Sequence, residues 1–238
     1  MPGAERSEVA SPPPPFVIAC APPFLTARFP SPRRVLSWSL LHPGFATIRD
    51  VVWVEVRNRD LGPDVDPRRF LQGKLADAGM PDALGLMTSR DVRRWRLCAM
   101  AVEDVRAACL ATVGLSNGER VGARGPARAM AGTINALVHV SRPLTDGAMV
   151  EAISIVAEAR TAAILESLRT QGRSAITGTG TDCIVVAAPV EGEPTPWAGL
   201  HTAIGEAIGA AVYRVVREGA EEWAAENALL ATGAGSRD

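Results

Sequence analysis

Thr177-Gly178-Thr179-Gly180-Thr181-Asp182-Cys183-Ile184-Val185-Val186-Ala187-Ala188 changes character at its midpoint. Its first half alternates threonine with glycine and closes on a carboxylate. Its second half is an apolar run with the length and composition of a buried strand. The glycines let the backbone turn, or approach a ligand, where a side chain would clash. The threonine hydroxyls both donate and accept, and Asp182 adds charge where loop meets strand. The spacing is neither the Walker nor the Rossmann pattern, and no lysine follows. On this stretch alone two readings stay open: a tight polar turn before a core strand, or one wall of a binding site.

Working outward, Asp146 to Leu168 is the longest helical signal in the chain. Met149, Ile153, Val156, Ala163 and Ser167 fall on one side of it, and Ile155, Ala162 and Leu165 on another, so the helix is buried on two sides in a layered domain. Before it, Gly132-Thr133-Ile134-Asn135 opens a strand, Ala136–Val140, closed by Pro143. Residues 132–188 therefore read as strand–helix–strand with a right-handed crossover. After a proline-rich turn at 189–196, Thr202 to Ala225 forms the last helix, with Gly205, Gly209 and Ala210 as a small-residue face.

The first half is richer in strands. Phe16 to Val56 reads as two or three strands in hairpin connection, about 16–20 or 24–29, 34–40 and 50–57, with a turn at Pro43-Gly44. Pro67 to Ala78 is a short helix with Asp66 as N-cap. Residues 85–92 read as a turn or short helix. Strands follow at Arg96–Val102 and Ala107–Leu115, the second stopped by Ser116-Asn117-Gly118, and then a loop at 119–130. The fold class is α+β: a mixed, largely antiparallel sheet packed with a few long helices, in a single domain over 16–227. A disordered proline-rich leader is expected at 1–15, and a disordered tail at 228–238.

The chain has 238 residues, 47% hydrophobic and 21% charged, which allows a sizeable core. A net charge of -1 argues against a nucleic-acid partner, and Lys74 is the sole lysine. The four cysteines, Cys20, Cys98, Cys109 and Cys183, are scattered and form no CxxC or Cys/His cluster, so no metal site is expected. No apolar stretch is long enough to span a membrane, and no hydrophobic signal core stands near Met1, so the expected location is cytoplasmic.

Polar groups concentrate at element ends in the second half, where a rigid scaffold presents groups to a ligand. His201 opens a helix, whose dipole disfavours the imidazolium. A neutral imidazole there suits a base or, through its lone pair, a metal ligand; the alternative is a helix-entry histidine bonded to a loop carbonyl. His201 and Glu206 are five apart, so they do not form HExxH. Asp182 and Glu158 form an acid/base pair if the fold brings them together. The alternative is that Glu158 and Arg160 pair with neighbours or reach outward to water. The catalytic candidates are thus Asp182, Glu158, His201 and Glu206. The substrate-binding candidates are Ser116, Asn117, Thr133, Asn135, Thr177, Gly178, Thr179, Gly180, Thr181 and Thr202. There is no nucleophile elbow; Ser116, Thr133 and Thr181 are the nucleophile candidates, and Cys183, at the head of an apolar strand, reads as core.

Six pieces in order, TVGLSNG (112–118), GTINALV (132–138), LTDGAMVEA (144–152), AEARTAAILE (157–166), TGTGTDCIVVA (177–187) and AGLHTAIGEAIGAAVY (198–213), resemble the CbiZ-type adenosylcobinamide amidohydrolases. Weaker similarity runs back through LMTSRDV (86–92) to VLSWSLLHPGF (35–45), so the resemblance covers roughly 33 to 217. Arg160 stands where the family suggests lysine, and Pro43-Gly44 replaces a more glycine-rich turn. The resemblance implies hydrolysis of the amide joining a corrin propionyl side chain to its aminopropanol arm, giving adenosylcobyric acid for cobalamin salvage. It implies a small-molecule corrinoid as substrate and no cofactor besides it, with no nucleic-acid or membrane partner. A homo-oligomer is compatible with the glycine-lined helix face. Two other functions fit the same residues: a corrinoid-binding protein without catalysis, and a same-fold hydrolase of another amide.

Overall fold

In the computed structural model, which describes residues 13–123, 132–170 and 176–233, the chain begins as a hairpin of β1 (Val17–Ala21) and β2 (Phe24–Trp38). Most of the expected leader, part of the 119–130 loop and the last five residues lie outside the described residues. β2 is one strand where the sequence suggests two. Pro30 and Pro32 fall in the stretch between Arg28 and Arg33 where its register against β3 (Pro43–Glu55) slips, so the missing N–H groups leave no gap in the ladder. β3 starts at the expected turn itself, with Gly44 at φ +84°.

α1 (Pro67–Asp77) forms where expected, with the Asp66 side chain accepting from Arg68 N at 2.9 Å. The segment read as a turn or short helix is instead β4 (Leu84–Thr88), parallel to β3, followed by a turn at Ser89–Asp91 and one 3-10 turn. Gly85 explains why a strand fits there. Leu71 and Leu75 of α1 pack so closely that a Cβ at position 85 would lie 2.9 Å from a Leu75 methyl. β5 (Arg96–Val102) and β6 (Val105–Val113) make a hairpin, and β7 (Gly118–Glu119) is a short spur beyond it. Then come β8 (Ile134–Val140), α2 (Asp146–Thr170), a second spur β9 (Gly178–Thr179), β10 (Cys183–Pro189) and α3 (Ala203–Gly233). α3 runs beyond Ala225, where the sequence reading ended it.

The main sheet has the order β4-β3-β2-β10-β8-β6-β5, with β1 also on β2; β7 and β9 pair separately. Among the described strand pairs of this sheet, β3–β4 and β8–β10 are parallel and the rest antiparallel. The strand–helix–strand unit is β8-α2-β10, and its strands are direct neighbours.

Alternation along these strands feeds two cores. On one face, Cys109, Val138 and Ile184 pack under α2 and α3 through Met149, Ala152, Val212 and Val216. On the other, Leu110, Leu137 and Val185 meet Leu25, Phe29, Trp53 and Leu84. This second core exists because the sheet curls, bringing the β1–β4 half over the β6–β8–β10 half. Trp53 Nε1 donates to Asn135 O at 3.4 Å across the fold-over. α1 covers the outer side of β3 and β4 through Leu71 and Leu75. The result is a single α+β domain.

Candidate active site

The curl brings the end of β4 against the start of β8, and a cleft opens where β8 and β10 begin. Three loops meet there. Gly114 N donates to Thr133 O at 3.0 Å, Gly180 N to Asn117 O at 3.1 Å, and the Thr133 hydroxyl to Thr181 O at 2.8 Å. The Thr181 hydroxyl reaches Gly132 O at 3.3 Å. Gly132 is required for this closeness, because a Cβ there would stand 2.6 Å from Ser116 N and 2.7 Å from Asn117 N. Asn135, 1% exposed, donates from Nδ2 to Met87 O at 2.6 Å and so ties β4 to the same place.

Asp182 is the centre of the arrangement. Its carboxylate accepts from Ile134 N and Thr179 N, each at 2.9 Å, and from the Thr179 hydroxyl. Arg160 of α2 completes the set, NH1 to Oδ2 at 3.0 Å, with side chains 16% and 7% exposed respectively. The carboxylate thus has four donors in nearly dry surroundings, and the pair is neutral as a unit. Gly178 leaves room for it, since a Cβ would lie 2.7 Å from Asp182 Oδ2. The Asp182 carbonyl accepts from Trp38 Nε1 at 2.7 Å, which fixes the half-exposed indole over the cleft.

Trp38, Gly180 and Asp182 divide the cleft into two lobes. The larger, about 470 Å³, is mostly apolar, with Leu40, Leu71 and Leu86 as walls and Thr133, Asn135 and Thr181 at one end. The smaller, about 330 Å³, is bordered by the charged and hydroxyl side chains of Glu119, Arg120, Arg160, Thr177 and Thr179. Cys183 borders the apolar lobe, but burial pushes its thiol up to about 12, so it stays protonated and weakly reactive. Among the described residues no group of three or more His, Cys, Asp or Glu stands together as metal ligands would.

The sequence-derived candidates therefore separate. Asn117, Thr133, Asn135 and Thr177 to Asp182 are brought together, and Ser116 stands beside them, lining a neighbouring open cavity with Arg90. Thr177 anchors the spur strands, its hydroxyl accepting from Val121 N at 2.8 Å. Glu158 is exposed, and the α2 side chain that meets Asp182 is Arg160. His201, Thr202 and Glu206 are not at the cleft at all. β10 carries the chain about 20 Å to the other end of the sheet before α3 starts. There His201 and Glu206 are exposed, and Thr202 caps the helix, accepting from Gly205 N at 2.9 Å. Gly199 and Gly205 touch so tightly that a Cβ on Gly205 would lie 2.1 Å from Gly199 O, while Glu151 of α2 accepts from Ala198 N at 2.7 Å. That end is a packed junction.

Arg160 stands out in the sequence as a departure from lysine, and Trp38, Leu40 and the β4 end (Met87, Thr88) are the site residues that the sequence candidates leave out. Two signals pointed to them: VLSWSLLHPGF and LMTSRDV fall within the weaker part of the resemblance.

The family model for adenosylcobinamide amidohydrolases matches residues 15–228. The chain belongs to this family. Its class is accordingly that of hydrolases acting on an amide bond. A protein of Halobacterium salinarum named adenosylcobinamide amidohydrolase is 31% identical over 171 residues, 66% of this chain and 68% of that one. An uncharacterized protein of Methanocaldococcus jannaschii is 42% identical over 90 residues, covering 37% of this chain and 35% of its own length. Among solved structures, the PH0078 protein from Pyrococcus horikoshii superposes with a TM-score of 0.37 at 10% identity, over 82% of this chain and 76% of that one. A Burkholderia beta-aminopeptidase gives 0.39 at 10%, over 82% and 78%. Superpositions that loose say nothing about chemistry. Among the described residues no helix is long and apolar enough to cross a membrane.

Proposed function

We propose that this member of the family hydrolyses adenosylcobinamide at the amide between a corrin propionyl side chain and the aminopropanol arm. Water adds across the C–N bond, so adenosylcobyric acid and the free amino alcohol leave. The observation that carries this reading is the convergence of residues 112–118, 132–138 and 177–187, separate in sequence, on the one cleft. The reading needs no cofactor beyond the substrate, and a cytoplasmic place where corrinoids are reassembled.

The cleft's dimensions suit the task. An arm of the substrate fits lobes of this size, while the macrocycle stays outside against the exposed face of Trp38. The scissile amide then lies near Gly180 and Thr181, between the lobes. Amide hydrolysis needs stabilisation of the developing oxyanion and a held water. Arg160 is the cation for the first, kept rigid by Asp182. The Thr133 and Thr181 hydroxyls serve the second.

A second reading draws support from Asp182 itself. All four donors hold its carboxylate in place as a structural anchor, which suits a protein that binds corrinoids without cleaving them. One assay separates the two. Purified protein is incubated with adenosylcobinamide and the products are resolved by chromatography. Adenosylcobyric acid is expected. Binding without product supports the second reading, and the absence of both rules out both.

A further inference from the structure

Away from the cleft, at the opposite end of the curled sheet, five strands and the prolines at 13 and 15 line another cavity of about 290 Å³. Arg33 of β2, Arg106 of β6, His139 of β8 and Ser141 just past β8 line it, with Pro189 of β10 beside them. No carboxylate does. Arg33 spends NH1 on uncharged partners, the Ser31 hydroxyl at 2.5 Å and the Ser31 and Pro32 carbonyls. Neither Arg33 nor Arg106 has an ion-pair partner among the described residues. Among the described residues, therefore, neither guanidinium has a counter-charge.

Two buried nitrogens sharpen the point. Arg33 Nε and His139 Nε2 have no hydrogen-bond partner among the described residues, although His139 is only 5% exposed. Both groups pack on Phe29, each 5.5 Å from its ring centroid. An arginine N–H cannot lose its proton, and an unmet buried donor costs about 1–3 kcal/mol. That donor and the unpartnered His139 nitrogen border one cavity and call for a partner. Burial, and after it the Arg33 charge, pushes His139 down to about 3, so the imidazole is neutral near neutral pH and offers a hydrogen bond without charge. Ser141 Oγ accepts from Arg106 N at 2.9 Å, which leaves its own hydrogen free to donate.

We propose that this cavity binds a phosphate group, free or carried on a small molecule, through Arg33, Arg106, His139 and Ser141. Two cations matched to a dianion, with donors arriving from different strands, suit a tetrahedral oxyanion. A carboxylate would leave one guanidinium without a counter-charge. The proposal is independent of the reaction assigned to the cleft.

The test uses the full chain, inorganic phosphate and the ring signals of its three histidines, with His139 identified by its loss in His139→Asn. Saturable binding is expected, and a bound dianion should move the His139 titration upward, since it favours the imidazolium. Arg106→Gln should weaken binding about tenfold, and Arg33→Gln at least as much. Arg106 is exposed, so its variant decides the matter if Arg33→Gln does not fold. Activity at the cleft should be unchanged in Arg106→Gln. The proposal is overturned by no saturable response, by a response that Arg106→Gln leaves intact, or by acetate binding as tightly as phosphate.

Discussion

At the scale of single residues, Asp182 is an anchor. Its four donors come from β8, the spur loop and α2, so one carboxylate holds three parts of the chain in register. Replacing it by Asn removes the counter-charge from Arg160 while keeping an acceptor for the backbone. We expect Asp182→Asn to lose about 3 kcal/mol, read from the urea midpoint, because a nearly dry guanidinium is left alone. A loss under about 0.5 kcal/mol would mean that water screens the pair as it does on a surface. The importance of Asp182 was legible in the sequence as a charge placed where a glycine loop enters a strand. Its partner was not. Glu158 and Arg160 are two residues apart, about 200° around the helix, so only one can face the loop, and the sequence alone does not say which. The electrostatics decide for the cation.

At the scale of elements, the glycines set how closely loops approach. Gly132 lies against two backbone amides, which cannot swing aside as a side-chain tip could. Gly132→Ala should push residues 114–117 away from 132–135 and lower kcat/KM about a hundredfold, the usual cost of misplacing a site by about an ångström. Near-normal kinetics would show that the loops adjust independently. The long helices and the β8-α2-β10 unit could be read from periodicity because each is long and buried. β4 could not. Five residues beside a glycine carry too little period to distinguish strand from turn, and what makes it a strand is its parallel neighbour β3 and the α1 leucines over Gly85. β2 was read as broken because prolines normally end strands, whereas here they occupy its register slip.

At the scale of the molecule, the two ends of the sheet carry different chemical groups, and acid separates them. His139 is neutral in the fold at about 3 against an ordinary value near 6.5, so the unfolded chain takes up a proton first as pH falls. Its contribution to stability is complete above about pH 6.5 and is lost on the way down to 3, with a slope of up to about 1.4 kcal/mol per pH unit. Urea unfolding at several pH values should show that slope flattened in His139→Gln relative to the parent. Equal slopes would mean that His139 is hydrated in the fold.

The division between the ends also explains why the candidate residues did not all prove to be neighbours. AGLHTAIGEAIG looks like a site because it is polar, glycine-rich and at a helix start, but a strand of seven residues lies between it and Asp182. Counting chain reversals places it at the far end, where its glycines serve close packing. On the function proposed above, the chemistry takes place where β8 and β10 begin. The most direct test is kcat/KM for adenosylcobinamide in Arg160→Met compared with a His201→Ala, Glu206→Gln double variant. We predict a loss of about a hundredfold or more in the first and a change within about twofold in the second. Full activity in Arg160→Met together with loss in the double variant would contradict it.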